Sequence, residues 1–258
     1  MKRIAQSLLA LCTTLLMSAW TVPDESLNYG VRFKWGFIDA NVGIATLTTH
    51  NDIAGNTFTA TLSGKSVDLL GHYYEAVDTI TGSIMSENIT SNNNESLYHE
   101  SGRFAIETIT YDTAGPSKDG PVVRRLSDGK VLRSHVSDYG SGLTIDLLAV
   151  FYYMRQIEYG SYTPGQSFRI NLSNGRHIES LEISYLGIEP IDFNGESHET
   201  YHISLAFSAQ GSVKADNMNV WISTDSTRIP LVINGNLSVG HMECHYVGHS
   251  TLQQLGSY

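Results

Sequence analysis

The chain has 258 residues and a formal net charge of −10, from 26 acidic and 16 basic residues. This excess of carboxylates argues against nucleic acid as a partner, because its phosphates require a basic surface, and against electrostatic docking to anionic lipid. The length is sufficient to bury a core without disulfide bonds.

The N-terminus has the three parts of a secretory signal peptide. Residues 1–3 are basic, residues 4–17 form an apolar run, and Ser18 and Ala19 supply small residues before a polar segment. The apolar run is shorter than the about 20 residues that span a bilayer. We therefore predict a signal peptide over residues 1–19 and a single exported β-rich domain over residues 20–258, most simply in a bacterial periplasm. An uncleaved anchor is the alternative.

Two cysteines bear on the compartment. Cys12 lies in the middle of the apolar run and follows Leu11, where a lipidation signal would have a small residue. We therefore do not expect lipid attachment at Cys12. Removal of residues 1–19 would leave Cys244 as the only cysteine, together with 14 basic and 26 acidic residues.

From residue 27 onward, apolar and polar residues alternate with a period of two, which is typical of half-buried strands. About a dozen such runs follow one another with short turns between them. Residues 91–95 (SNNNE) are interpreted as a polar turn, and residues 127–130 (SDGK) as a tight hairpin turn. The pattern predicts a mainly β protein, an antiparallel curved sheet or half-barrel meander.

Residues 144–158 are predicted to form one apolar helix. Thr144 or Asp146 can cap its start, and Gly160 in a left-handed conformation, with Pro164 beyond, can end it. A helical face of period 3.6 contains Leu147, Val150, Phe151 and Met154. Leu148 and Tyr152 form a second, adjacent apolar strip. Because such a helix is covered on more than one side, we expect it to pack on the concave face of the curved sheet.

The segment His198–His202 matches the H-E-x-x-H zinc motif, but its neighbours alternate with the period of a strand. In a strand, residues four apart are separated by roughly 13 Å, too far for two ligands of one zinc ion. In residues 241–249 (HMECHYVGH), His241, Glu243 and His245 would share one strand face, for which a solvated surface is the favoured interpretation. We therefore predict no metal site, no cofactor and no catalytic residue.

Three segments resemble domain-of-unknown-function family 3108. They are DLLAVFYYMR (146–155) with GQSFRINLSNG (165–175), LNYGVRFKWGFIDANVGIATL (27–47), and WISTDSTRIPLVI (221–233). The resemblance implies exported bacterial proteins of mostly antiparallel β-structure with no established activity. A weaker, fold-level similarity to the LolA/LolB lipoprotein carriers implies a curved sheet around a helix, and supports hydrophobic-ligand binding by analogy only.

The leading functional hypothesis is a non-catalytic envelope protein that binds an apolar or lipid-like ligand between helix and sheet. The residues expected to line that site are Leu148, Phe151, Tyr152 and Trp35. One alternative is a structural or interaction module of the envelope, in which the helix is only core. A minor alternative is a metallohydrolase that uses the histidine clusters.

Overall fold

The computed structural model describes residues 21–52, 54, 56–66, 76–86, 91–100, 103–110, 120–126, 131–136, 144–173, 178–209, 216–236 and 240–248. The predicted signal peptide, Cys12 and the predicted turn at residues 127–130 lie outside these residues. Within the described ranges, no helix has both the length and the hydropathy needed to cross a membrane.

Strands dominate the described chain. They are β1 Glu25–Trp35, β2 Ile38–Asp52, β3 Thr57–Ser66, β4 Ala76–Met85, β5 Ser91–Glu100, β6 Arg103–Thr110, β7 Gly120–Leu126, β8 Val131–Val136, β9 Thr144–Asp146, β10 Ser167–Ser173, β11 Ile178–Phe193, β12 Glu196–Ala209, β13 Asp216–Ser223, β14 Pro230–Asn236 and β15 His241–Gly248. One α-helix, α1 Leu147–Gln156, and a 3₁₀ turn, Tyr159–Ser161, separate β9 from β10.

All fifteen strands form one sheet, in the order β8-β7-β6-β5-β4-β3-β2-β1-β15-β14-β13-β12-β11-β10-β9. Strands β1 to β8 follow one another outward, and β9 begins the other half, which returns until β15 pairs with β1. The described pairs are antiparallel except β9 with β10, which is parallel. In this strand order β8 and β9 are the edges, so the curved sheet is open. The predicted antiparallel curved sheet is confirmed.

Two local predictions were wrong. The asparagine-rich segment at residues 91–95 begins strand β5 instead of forming a turn. Its backbone pairs with β4 on one side and β6 on the other, and that pairing overrides the low strand propensity of asparagine. Thr144–Asp146, predicted as the first turn of the helix, pairs with β10 as a short strand.

Helix α1 begins where the sequence indicates a cap and ends earlier than predicted. The Asp146 carboxylate accepts a hydrogen bond from the backbone N–H of Ala149 at 2.8 Å. The backbone becomes extended at Ile157, and the Tyr159 hydroxyl donates to the Met154 carbonyl at 2.8 Å. Gly160 lies in the 3₁₀ turn without a positive φ, so its predicted role as the left-handed end of the helix was wrong.

The helix packs on the concave face of the sheet, as predicted. We call the end of the sheet where β1 begins, at Glu25, the lower end, and the end where β1 stops, at Trp35, the upper end. Residues from β1–β4 and from β10–β14 contribute to one apolar core with α1. This core includes Leu27, Leu47, Phe58, Ile84, Leu148, Tyr152, Leu181, Ile183, Ile203 and Val220. The helix therefore joins the two halves of the sheet.

A buried arginine fixes the lower end of this arrangement. The fully buried Arg155 guanidinium makes two hydrogen bonds to the Glu25 carboxylate, one through Nη1 to Oε1 and one through Nη2 to Oε2 at 3.2 Å. Its Nε donates to the carbonyl of Arg228 at 2.9 Å, and Nη2 donates to the carbonyl of Thr227 at 2.9 Å. One side chain thus connects α1 to β1 and to the β13–β14 turn.

The β13–β14 turn is organised by its own hydrogen bonds. The Asp225 carboxylate accepts from the Thr227 N–H at 2.8 Å and from the Ser223 hydroxyl at 3.2 Å. Burial alone would raise the pKa of Asp225, but these hydrogen bonds lower it below its ordinary value. The backbone N–H of Arg228 donates to the Asp225 carbonyl at 3.3 Å, and its side-chain Nη1 donates to the carbonyl of Ile157 at 2.7 Å. The turn therefore holds the segment that follows α1.

We predict that Arg155→Ala lowers the free energy of unfolding by about 3–5 kcal/mol, because it leaves the Glu25 carboxylate partly buried without its cation. Urea unfolding followed by circular dichroism measures the change. The matched control is Arg169→Ala, which removes an exposed pair with Glu182 and should cost about 0–1 kcal/mol. Equal stability of the two variants would show that Arg155 does not fix the lower end.

Candidate functional site

The inward-facing side chains of β1 become more exposed from the lower to the upper end. Leu27 is 0% exposed and Tyr29 is 4% exposed. Val31 and Phe33, the next two inward positions, are partly exposed, and Trp35 at the end of the strand is 55% exposed. The concave face is thus closed at its lower end and only partly covered toward its upper end.

The neighbouring strands continue this partly exposed area. Cross-strand register places Ala45 beside Tyr29, and Cys244 beside both Val31 and Ile233. We call the upper concave surface the half-buried, inward-facing set Val31, Phe33, Ala45, Met218, Ile233, Met242, Cys244 and Tyr246. Five of its members also pack against the core, namely Ala45, Met218, Ile233, Cys244 and Tyr246. These are apolar or aromatic side chains with one thiol, and they are typical of the lining of an apolar ligand site.

Glycine leaves room on the same face. Gly64 lies opposite Ala45 in the pairing of β2 with β3, and a Cβ atom added to Gly64 would have no heavy atom of the other described residues within 4 Å. The space in front of this part of β3 is therefore open, in contrast to Gly43, where a Cβ would lie 2.8 Å from the Lys65 carbonyl oxygen.

Aromatic rings form the boundary between the closed and the open part. The rings of Tyr29 and Phe151 meet edge to face at a centroid distance of 6.2 Å. Tyr152 contacts Phe151 at 5.3 Å and Phe58 at 5.0 Å. Tyr246 contacts Tyr29 at 5.7 Å from the sheet side. Edge-to-face contacts of this kind stabilise a packed core beyond the burial of apolar area.

Two hydroxyl groups at this boundary are buried without a partner. Among the described residues, Tyr29 Oη and Tyr152 Oη make no hydrogen bond to the protein. Burial raises the pKa of both tyrosines, so both remain protonated donors throughout the physiological range. A buried polar group without a partner costs about 1–3 kcal/mol. Among the described residues the indole Nε1 of Trp221 is a third such group, and the two tyrosines are the ones at this boundary.

Three of the four residues predicted to line a ligand site lie on α1, where Phe151 and Tyr152 are in contact, and Trp35 lies apart from them on β1. Leu148 and Tyr152 are buried in the core, and Phe151 is partly exposed between Tyr29 and Tyr152. Trp35 lies at the upper end of β1, beside the β1–β2 turn. Leu147, predicted to share the buried face of the helix, is 57% exposed at the upper end of α1, so its predicted burial was wrong.

The histidines of the H-E-x-x-H match lie on strand β12, as expected. His202 stacks on Trp221 at 4.5 Å, and its ring nitrogens contact Glu189 at 2.6 Å and Asn219 at 3.1 Å. His198 instead packs edge to face against Phe193. The two histidines thus have separate surroundings, as the strand geometry requires.

His241 and His245 lie on the outer face of β15 on either side of Glu243. Their Nε2 atoms are 3.5 and 3.3 Å from the Glu243 carboxylate, which also accepts a hydrogen bond from Lys34 at 2.7 Å. Partial burial would raise the pKa of Glu243, but the hydrogen bonds from Lys34 and His245 lower it below its ordinary value. Within the part of the chain that the structure describes, no three ligating side chains are grouped to hold a metal ion.

The sequence interpretation did not identify Arg155, Tyr29 and Glu25 as positioning residues. The arginine that ends the apolar run DLLAVFYYMR was a usable signal, because a charged residue on a buried helix needs a partner. Its partner Glu25 is 130 positions away in the sequence, and no local pattern identifies it.

Comparisons with known proteins indicate family and fold. The model of the family described as "Protein of unknown function (DUF3108)" matches residues 28–245. A β-barrel-like protein of domain-of-unknown-function family DUF1849 from Brucella abortus has a TM-score of 0.58 at 7% identity, covering 86% of this chain and 94% of that chain. At that identity the likeness concerns the fold alone.

A second solved structure, an exported protein with a YmcC-like fold from Bacteroides fragilis, has a TM-score of 0.34 at 5% identity, covering 88% of this chain and 97% of that chain. This likeness is too weak to support an argument. No curated protein matches the chain.

Cys244 provides a chemical test of the concave face. Burial raises the pKa of its thiol to about 11, so at pH 8 only about 0.1% is thiolate, against about a quarter for a free thiol with pKa 8.5. We predict that native protein reacts with a thiol-specific disulfide reagent at pH 8 about 250-fold more slowly than protein unfolded in urea, in proportion to the thiolate fractions. Absorbance of the released thiolate follows the reaction. Equal rates in the two states would contradict the inward placement of Cys244.

Proposed function

This chain belongs to the DUF3108 family, whose description assigns no activity, and from that premise we propose its function from the concave face. The protein is an exported, non-catalytic component of the cell envelope that binds an apolar or lipid-like ligand between α1 and the sheet. The ligand lies on the upper concave surface. Phe151 forms its inner contact on the helix, and Leu148 and Tyr152 support Phe151 from the core.

The observation that carries this proposal is the exposure of apolar side chains on a concave surface. Inward-facing residues of a curved sheet normally become core, as Leu27 and Tyr29 do. Two and four positions further along the same strand, Val31 and Phe33 remain partly exposed although the strand alternation directs them to the same face. Concave and apolar surfaces of this kind are the usual form of small-molecule sites.

The polar groups of the site point to an uncharged ligand. Arg155 is already bonded to Glu25 and to two carbonyl groups, so the interior presents a neutralised ion pair. The hydroxyl of Tyr29, at the boundary of the upper concave surface, is a donor that a carbonyl or hydroxyl oxygen of a ligand can satisfy. An ester or an alcohol at the inner end of an acyl chain fits this combination.

The second candidate is a structural or interaction module of the envelope without a ligand. The complete burial of Leu148 and Tyr152 favours it, because both side chains belong to a packed core and not to an open surface. The two candidates differ in what occupies the space before Gly64 and Ala45. An occupied site predicts that added bulk there displaces a ligand, whereas a simple module predicts only a change in stability.

Fluorescent fatty-acid or fatty-ester binding tests the proposal, with Gly64→Phe as the variant that fills the open space. Its phenyl ring occupies about the volume of several methylene groups of an acyl chain, so we expect affinity to fall at least tenfold, a loss of about 1.4 kcal/mol. Thr59→Phe is the matched control, because Thr59 lies on the same strand and is exposed on the outer face. We expect the control to bind like the wild type.

Native mass spectrometry with lipid extraction, on protein purified from its own host, provides the independent measurement. Co-purifying lipid in the wild type and its loss in Gly64→Phe supports a ligand site. Absence of lipid together with no binding of fluorescent probes would leave the ligand-free module as the function.

A further inference from the structure

The β1–β2 hairpin presents aromatic side chains to solvent at its tip. Phe37 is 100% exposed and Trp35 is 55% exposed. Gly36 between them has a φ of +58°, the left-handed turn conformation that favours glycine. Two large exposed aromatic residues at one turn are uncommon on a protein surface that contacts only water.

We propose that this tip, Trp35-Gly36-Phe37, inserts into the headgroup region of a neutral lipid bilayer. This inference deepens the proposed function. It rests on that function, because the proposed ligand is what gives the membrane contact its role. It names the source of the apolar ligand as a membrane, and it gives the upper end of the protein as the side that meets the bilayer.

The position of the tip supports this assignment. The upper concave surface includes Val31 and Phe33, the last two inward positions of β1 before the tip. Leu147, at the upper end of α1, is exposed beside the same end of the sheet. Insertion of the tip would therefore bring the open end of the concave face to the lipid surface, where an acyl chain could enter without crossing water.

The charged residues next to the tip favour a lipid surface without net charge. Arg32 is paired with Asp39 through Nε at 2.5 Å and Nη2 at 2.8 Å. Lys34 is paired with Glu243 at 2.7 Å. Both cations nearest the tip are neutralised, and the whole chain is acidic, so anionic lipid gains no electrostatic attraction here. The favourable contribution to membrane binding is then the insertion of the two aromatic rings, because aromatic side chains are enriched at membrane interfaces.

The size of the tip argues against a stable protein partner. An aromatic side chain buries about 150–250 Å² when fully covered, so the two rings together offer at most about 500 Å². A specific protein interface takes about 800 Å² from each partner. An area below that value suits weak, reversible membrane binding of the kind that a single acyl chain provides.

Flotation with phosphatidylcholine vesicles tests the inference, with Trp35→Ser combined with Phe37→Ser as the variant. Because both residues are exposed, the variant should unfold at the same temperature as the wild type. We expect the wild type to float with the vesicles at low and at high salt, and the double variant to bind about tenfold or more weakly. The wild type and the variants are prepared with the same N-terminus, which mass spectrometry verifies.

The matched control is Leu186→Ser combined with Ile188→Ser, which removes two other exposed apolar residues on strand β11. The control should bind vesicles like the wild type. The inference is overturned if both double variants lose binding equally, or if the wild type does not float. It is also overturned if binding requires anionic lipid and disappears in salt, or if the tip variant instead changes the oligomeric mass measured without vesicles.

The same tip variant separates this inference from the proposed function. In solution without vesicles, it should bind fluorescent fatty acid or fatty ester like the wild type, because the upper concave surface is intact. Loss of vesicle binding with ligand binding retained supports the membrane contact. Ligand binding by the wild type without vesicle binding overturns the membrane contact and leaves the ligand site standing.

Discussion

The salt bridge between Arg155 and Glu25 is the constraint on which the arrangement of helix and sheet depends. A buried guanidinium is tolerated only when its donors are satisfied, and here the acceptors are a β1 carboxylate and two carbonyls of the β13–β14 turn. These elements belong to both halves of the sheet. The ring of Phe151, 5.6 Å from the guanidinium, adds a cation–π contact within the helix. The lower end of α1 can therefore take few other positions.

Fixing one end of a short helix makes the concave face asymmetric. A helix of ten residues is about 15 Å long, so α1 covers the lower part of a strand such as β1 and leaves the rest uncovered. The aromatic contacts of Tyr29, Phe58 and Tyr152 close the space beneath. The upper concave surface is the part of the sheet that the helix does not reach. Core and candidate site are thus two parts of one surface, divided by the length of the helix.

Local patterns in the sequence predicted much of this fold. The alternation in β1 and the cap at Asp146 correspond directly to structure, because each depends on neighbours a few residues away. Strand β5 was missed because it is held by pairing on both sides and has little strand propensity of its own. Helical periodicity placed Leu147 on a buried face, but periodicity gives the direction of a side chain and not what covers it.

The candidate site was less predictable, because it depends on contacts that are distant in sequence. The four apolar residues chosen from sequence are divided among three surroundings: Leu148 and Tyr152 in the core, Phe151 at its boundary and Trp35 at a solvent-exposed turn. Residue type alone cannot separate these, since aromatic residues serve in cores, ligand sites and membrane contacts alike. What separates them is the set of neighbours that each meets in the folded chain. Leu148 and Tyr152 face the core from α1, Phe151 stays partly exposed although it contacts Arg155, and Trp35 ends β1 at the turn.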